Sequence, residues 1–138
     1  RWGLWALPGG MMDPKECPVQ TAARELAEET TVADPGNGVI AYQGHVPDRR
    51  ETDNVWMETT LVVSLVPADF SAVPRGCDDA QDAAWKVLTP EFIQQLSGGH
   101  PFLVRCGLTH LVATGQLKQI PLAHEPLRTE LSGLTGNV

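Results

Sequence analysis

Between Pro18 and Thr30 the chain carries two faces that need opposite surroundings, and no other feature limits its fold as much. On a helix turning about 100° per residue, Val19, Ala22, Ala23 and Leu26 fall within an arc of about 100°. Glu25, Glu28 and Glu29 fall within a second arc of similar width on another side. The apolar stripe requires a sheet or a second helix to cover it, and Pro18 suits the first helical turn. Three carboxylates on one face repel one another unless something neutralises them. On the helix alone, a solvated acidic face is the ordinary outcome of such a run. The same carboxylates also form the hard, oxygen-rich donor set that suits Mg²⁺ or Mn²⁺. Arg24 stands one turn before Glu28 and can orient it through a charge-assisted hydrogen bond.

Around this helix the chain reads as alternating strand and helix signals. Trp2–Leu7 is a short apolar strand stopped by Pro8-Gly9-Gly10. After a turn at Pro35–Gly38, Val39–Val46 and Trp56–Val66 read as strands, the second rich in Val and Thr. Ala83–Leu88 is a short strand candidate around Trp85, and Pro90–Leu96 and Pro101–Thr114 are helices opened by proline. The stretch beyond Gly115 is weakly patterned. This order predicts an α/β fold with helices packed on a mixed sheet.

Composition removes several functional classes. With 138 residues, 42% hydrophobic and 20% charged, the chain has a single-domain size and can build a core. A net charge of −7 argues against nucleic acid or a membrane surface as a partner held by basic side chains. It leaves room for an anionic ligand, since bound divalent cations reverse the local sign. No apolar run approaches the length of a membrane span, and no signal peptide opens the sequence. Cys17, Cys77 and Cys106 lack metal-site spacing, which favours a reducing compartment and a cytoplasmic location. A mitochondrial location would need a targeting segment upstream. His45, His100, His110 and His124 show no ligand spacing, and neither a Walker sequence nor a Gly-x-Ser-x-Gly elbow is present.

Gly10, Glu16, Arg24-Glu25-Leu26, Glu28-Glu29 and Val32 reproduce the spacing G-x5-E-x7-R-E-U-x-E-E-x-x-U, where U is aliphatic. This resembles the signature box of the Nudix hydrolases. One position departs: Thr31 stands where that family usually has glycine, a residue that commonly serves the helix end. The resemblance implies an α/β/α sandwich whose helical glutamates hold divalent cations. It implies Glu25, Glu28 and Glu29 as metal ligands, with Glu28 alternatively a proton acceptor and Arg24 an orienting residue. Glu16 is expected to bond at the helix start or to Arg24 rather than to touch metal. Gly9 and Gly10 would let a diphosphate approach the backbone closely.

A second stretch narrows the resemblance. Asp48-Arg49-Arg50-Glu51-Thr52-Asp53-Asn54-Val55-Trp56-Met57-Glu58-Thr59 is similar to the D-x-R-x-T-D-N-x-W-x-E-T run of mitochondrial-type ADP-ribose pyrophosphatases. The related ADP-ribose-sensing domain of a melastatin-type TRP channel shares it, and the Trp5–Glu16 run and Asp78-Asp79-Ala80 followed by Trp85 resemble the same subfamily. It implies ADP-ribose as the ligand, with Asp48 and Arg50 near the terminal ribose. Asp48 can accept from ribose hydroxyls and Arg50 can pair with phosphate or ribose oxygens. Thr52, Asp53 and Asn54 either bind substrate or form an Asx-type turn before the strand. Glu58 is either a base or metal partner or an exposed strand residue, and Asp78 or Asp79 either a general base or a solvated loop residue. Trp85 is expected in the core.

These readings converge on a Mg²⁺-dependent pyrophosphatase that cleaves ADP-ribose to AMP and ribose 5-phosphate. The rival is a non-catalytic ADP-ribose-binding domain, and a third reading is hydrolysis of another nucleoside diphosphate derivative. The intact run Arg24–Glu29 favours an enzyme, because a sensor needs no cluster of metal-binding carboxylates. The domain is expected over residues 1–115, short at its N-terminus with nine residues before the box, and 116–138 as an extension.

Overall fold

The structure is a computed structural model that describes residues 5–47, 58–76 and 82–118. Its order is α1 (Pro18–Thr30), β1 (Val39–His45), β2 (Glu58–Val63), α2 (Pro90–Ile93) and α3 (His100–Ala113). The strands pair as an antiparallel two-stranded sheet among the described residues, and the class is α/β. Two compact units divide the chain. The described part of one comprises 5–6, 41–47, 58–61 and 87–118, and that of the other 7–40, 62–76 and 82–86.

The first unit packs around Ile93, which is fully buried, with Leu96 and Leu108 beside it. Trp5, Leu88, Phe92, Val104 and Leu117 surround that cluster, and the Trp5 and Phe92 rings meet at 6.4 Å. Burying a side chain such as Ile93 contributes about 1.5–3 kcal/mol. The expected strand at the start of the chain is represented in the described residues by Trp5, which forms an isolated parallel bridge to Leu96. Its N–H donates to the Gln95 carbonyl at 3.2 Å and its carbonyl accepts from Ser97 N–H at 2.9 Å. On α3, Leu103, Gly107 and Leu111 recur every fourth residue on the buried side.

In the second unit α1 occupies the span expected from its sequence. Pro18 opens it, and Gln20 Oε1 accepts from Cys17 N–H at 2.9 Å, satisfying one free donor of the first turn. Cys17 is exposed at this cap. The helix ends at Thr31, whose φ of 65° and ψ of 2° place a β-branched residue in the left-handed region. Its N–H donates to the Ala27 carbonyl at 3.0 Å, and the Thr30 carbonyl accepts from Arg75 N–H at 2.8 Å. Val19, on the apolar side of α1, lies near Gly38, the residue before β1, where Val62 of β2 also approaches.

Two expectations near the end of this unit are corrected. Residues 83–88 form no strand among the described residues. Trp85 is 59% exposed rather than in the core. Its indole N–H donates to the Ala72 carbonyl at 2.9 Å and its ring meets Phe70 edge-on at 6.1 Å. A loop acceptor and one aromatic neighbour thus hold the ring with its other side in water. Among the described residues no helix is long and apolar enough to cross a membrane.

Candidate active site

Most of the carboxylates here gather on one side chain, Arg24. Arg24 forks onto Glu16, with Nε 2.8 Å from Oε2 and Nη2 3.1 Å from Oε1. Its Nη1 reaches Glu25 Oε1 at 3.0 Å and Glu28 Oε2 at 3.2 Å, and Nη2 donates to the Met11 carbonyl at 3.0 Å. Asp13 adds a fourth carboxylate at 3.5 Å. The planar fork of an arginine suits this task, since it presents several donors in fixed directions. One cation against four carboxylates leaves a strongly negative local field.

Glu16 fills the place expected of it. Beyond Arg24 it accepts from Asp13 N–H at 2.9 Å and from the Thr21 hydroxyl at 3.0 Å. These hydrogen bonds, the Arg24 contact foremost, lower its carboxyl to about 2 from an ordinary 4.5. The Arg24 guanidinium is held charged still more firmly than usual, by its bond to Glu16 first.

The segment before α1 lies against the same carboxylates. Gly9 N–H donates to Glu29 Oε1 at 2.8 Å. Gly10 passes so close to Glu25 that a Cβ there would sit 2.2 Å from Oε1, so any other residue would push the Glu25 carboxylate from this position. A Cβ on Gly9 would meet nothing within 4 Å. Glu25 and Glu29 are half-buried and Glu28 is exposed.

Glu25 and Glu28 therefore meet on Arg24, whereas Glu29 is turned onto Gly9. Among the described residues no three acidic, histidine or cysteine side chains converge in a metal-holding arrangement. In donor chemistry the residues suit a hard divalent cation: Glu25, Glu28 and Glu29 put three carboxylates within five residues of one helix. The expected substrate residues Asp48, Arg50, Thr52, Asp53 and Asn54, and the base candidates Asp78 and Asp79, lie outside the described residues. Glu58 opens β2 and lines a small cavity with Gln43, Gly44, Thr59 and Thr60. Sequence reasoning assigned no role to Asp13, the Met11 carbonyl or Thr21, although Met11 and Asp13 lie in the Trp5–Glu16 run of the resemblance.

A family model described as the NUDIX domain matches residues 1–104. The chain belongs to the Nudix family. The chain is 36% identical over 78 residues to the mitochondrial ADP-ribose pyrophosphatase of Rattus norvegicus, covering 44% of this chain and 22% of that one. It is 43% identical over 61 residues to the transient receptor potential cation channel subfamily M member 2 of Mus musculus, covering 42% and 4%. It is 32% identical over 124 residues to the CMP-5'-(N-acetyl-N-hydroxy-3-aminopropyl)phosphonate hydrolase of Streptomyces rubellomurinus, covering 87% and 55%. The matched segments thus span between 4% and 55% of these relatives' lengths. No solved structure matches. The family model bears out the resemblance carried by the box, and the pyrophosphatase and the channel are relatives of the kind that Asp48–Thr59 pointed to.

Proposed function

We propose that this Nudix domain hydrolyses the diphosphate bond of ADP-ribose, with Mg²⁺ or Mn²⁺, to AMP and ribose 5-phosphate. The arrangement of Glu25 and Glu28 about Arg24, with Glu29 on Gly9, supports this reading most directly. Water adds to one phosphorus, the bridging P–O bond breaks, and the departing phosphate takes the bond's electron pair. When bound, the divalent cation supplies an activated water and screens charge on the phosphoryl oxygens. Glu25 and Glu29 hold the cation, and Glu28 serves as a further ligand or as the acceptor of the water's proton. Arg24 holds the carboxylates of Glu25 and Glu28 side by side along α1. Gly9 and Gly10 leave the backbone open toward the diphosphate. Asp48 and Arg50 take the terminal ribose, with Thr52, Asp53 and Asn54 completing that contact. The similarity to an ADP-ribose pyrophosphatase supports the substrate.

Two observations favour other readings. The channel relative suits a binding domain without turnover, and the phosphonate hydrolase suits a different nucleotide substrate. AMP release from ADP-ribose with Mg²⁺, beside NADH and CMP-linked substrates, separates the three. Turnover of ADP-ribose abolished by EDTA supports the proposal. ADP-ribose binding without AMP release, on the same folded sample, gives the site to a sensor.

A further inference from the structure

We infer that Thr21 is a positioning residue of this site: its hydroxyl holds Glu16, and Glu16 holds the Arg24 guanidinium where it meets Glu25 and Glu28. The inference rests on the reading of α1 as the catalytic helix and extends it to a position that the box spacing leaves unspecified, between Glu16 and Arg24.

Thr21 is 8% exposed, and a hydroxyl in such a place needs a partner. Two acceptors are within reach. The Cys17 carbonyl lies 3.3 Å away and already accepts Thr21 N–H at 3.0 Å. Glu16 Oε1 is nearer, at 3.0 Å, and charged. A hydroxyl has one proton to give, and the charged acceptor takes the stronger bond.

The consequence lies in the spacing. Thr21, Arg24, Glu25 and Glu28 stand at i, i+3, i+4 and i+7, a single stripe along α1. Glu16 lies before the helix, so its carboxylate needs an anchor on that stripe if Arg24 is to be placed relative to α1. Thr21 is that anchor on the helix, and Asp13 N–H is its counterpart on the preceding turn. With both in place Glu16 Oε1 receives three donors and Oε2 one, so the carboxylate cannot rotate without losing bonds. Arg24 then meets a fixed fork.

The test compares Thr21→Val, of equal shape without the donor, with Thr21→Ser, which keeps it. Turnover of ADP-ribose is read at saturating Mg²⁺ and substrate, in the wild-type and Glu16→Gln backgrounds. A bond to a charged group is worth at least about tenfold, so Thr21→Val lowers kcat about tenfold with KM little changed. Thr21→Ser restores most of it, and in Glu16→Gln the Val substitution has little further effect. A second reading needs no turnover: NMR follows exchange of the Arg24 Nε–H with water in the metal-free chain. That exchange speeds up about tenfold in Thr21→Val and stays slow in Thr21→Ser. Equal loss from Thr21→Val in both backgrounds, or failure of Ser to rescue, overturns the role. If the wild-type chain turns over no ADP-ribose, the proposed function falls. Arg24 Nε–H exchange then decides Thr21 by itself, and unchanged exchange in Thr21→Val overturns it.

Discussion

The backbone N–H of Gly9 stands 2.8 Å from Oε1 of Glu29, joining the glycine turn to the last turn of α1 across twenty residues. That hydrogen bond separates two properties of Glu29, its charge and its capacity to accept. Glu29→Gln keeps an acceptor oxygen and loses the charge. Stability should change by less than about 1 kcal/mol, while Mg²⁺-dependent AMP release falls by about a hundredfold or more. Thermal melting and a nucleotide release assay on the same preparation check both halves.

Gly10→Ala makes the complementary case. The added methyl group would fall 2.2 Å from Glu25 Oε1, at the free end of a flexible side chain. Glu25 can swing away, so stability should fall by no more than about 1 kcal/mol. Displacing a reacting group by about an ångström can cost roughly a hundredfold, so kcat/KM should drop by about that factor. Gly9→Ala meets nothing and should leave the urea midpoint unmoved.

Glu16 sets the acid side of the stability curve. Its carboxyl titrates near 2 when folded against an ordinary value of 4.5, so the unfolded chain binds the proton more readily. The stabilisation from this group is complete above about 4.5 and is lost as pH falls toward about 2. Urea unfolding of wild type and Glu16→Gln at neutral pH, near 4.5 and near 2.5 should show the two curves converging as the solution is acidified.

Thr31 holds a φ of 65° that its β-branched side chain disfavours by about 1–2 kcal/mol. Glycine removes that strain but adds freedom to the unfolded chain. Thr31→Gly should therefore stabilise by about 1 kcal/mol, read as a higher urea midpoint at unchanged slope.

What could be read from the sequence followed the range of the forces involved. Pro18, the two-faced spacing and the end of the acidic run are local, so α1 was legible to its bounds. The strands were legible to within a few residues, since Val39–His45 and Glu58–Val63 carry their propensity in their own side chains. Trp85 was not, because its burial depends on what chain segment comes to lie over it. Arg24's grip on Glu28 could be anticipated from one-turn spacing. Thr21 could not, since a threonine in mid-helix looks neutral until Glu16 is seen folded back beside it.

The guanidinium of Arg24 gives this helix a resident countercharge that arrives with the polypeptide itself. Four carboxylates around α1 therefore have a cationic partner within the chain. On the proposed function, a chain that lost one acidic ligand would give up cleavage and keep Arg24 bonded to Glu16, so that a nucleotide-binding helix could outlast the chemistry.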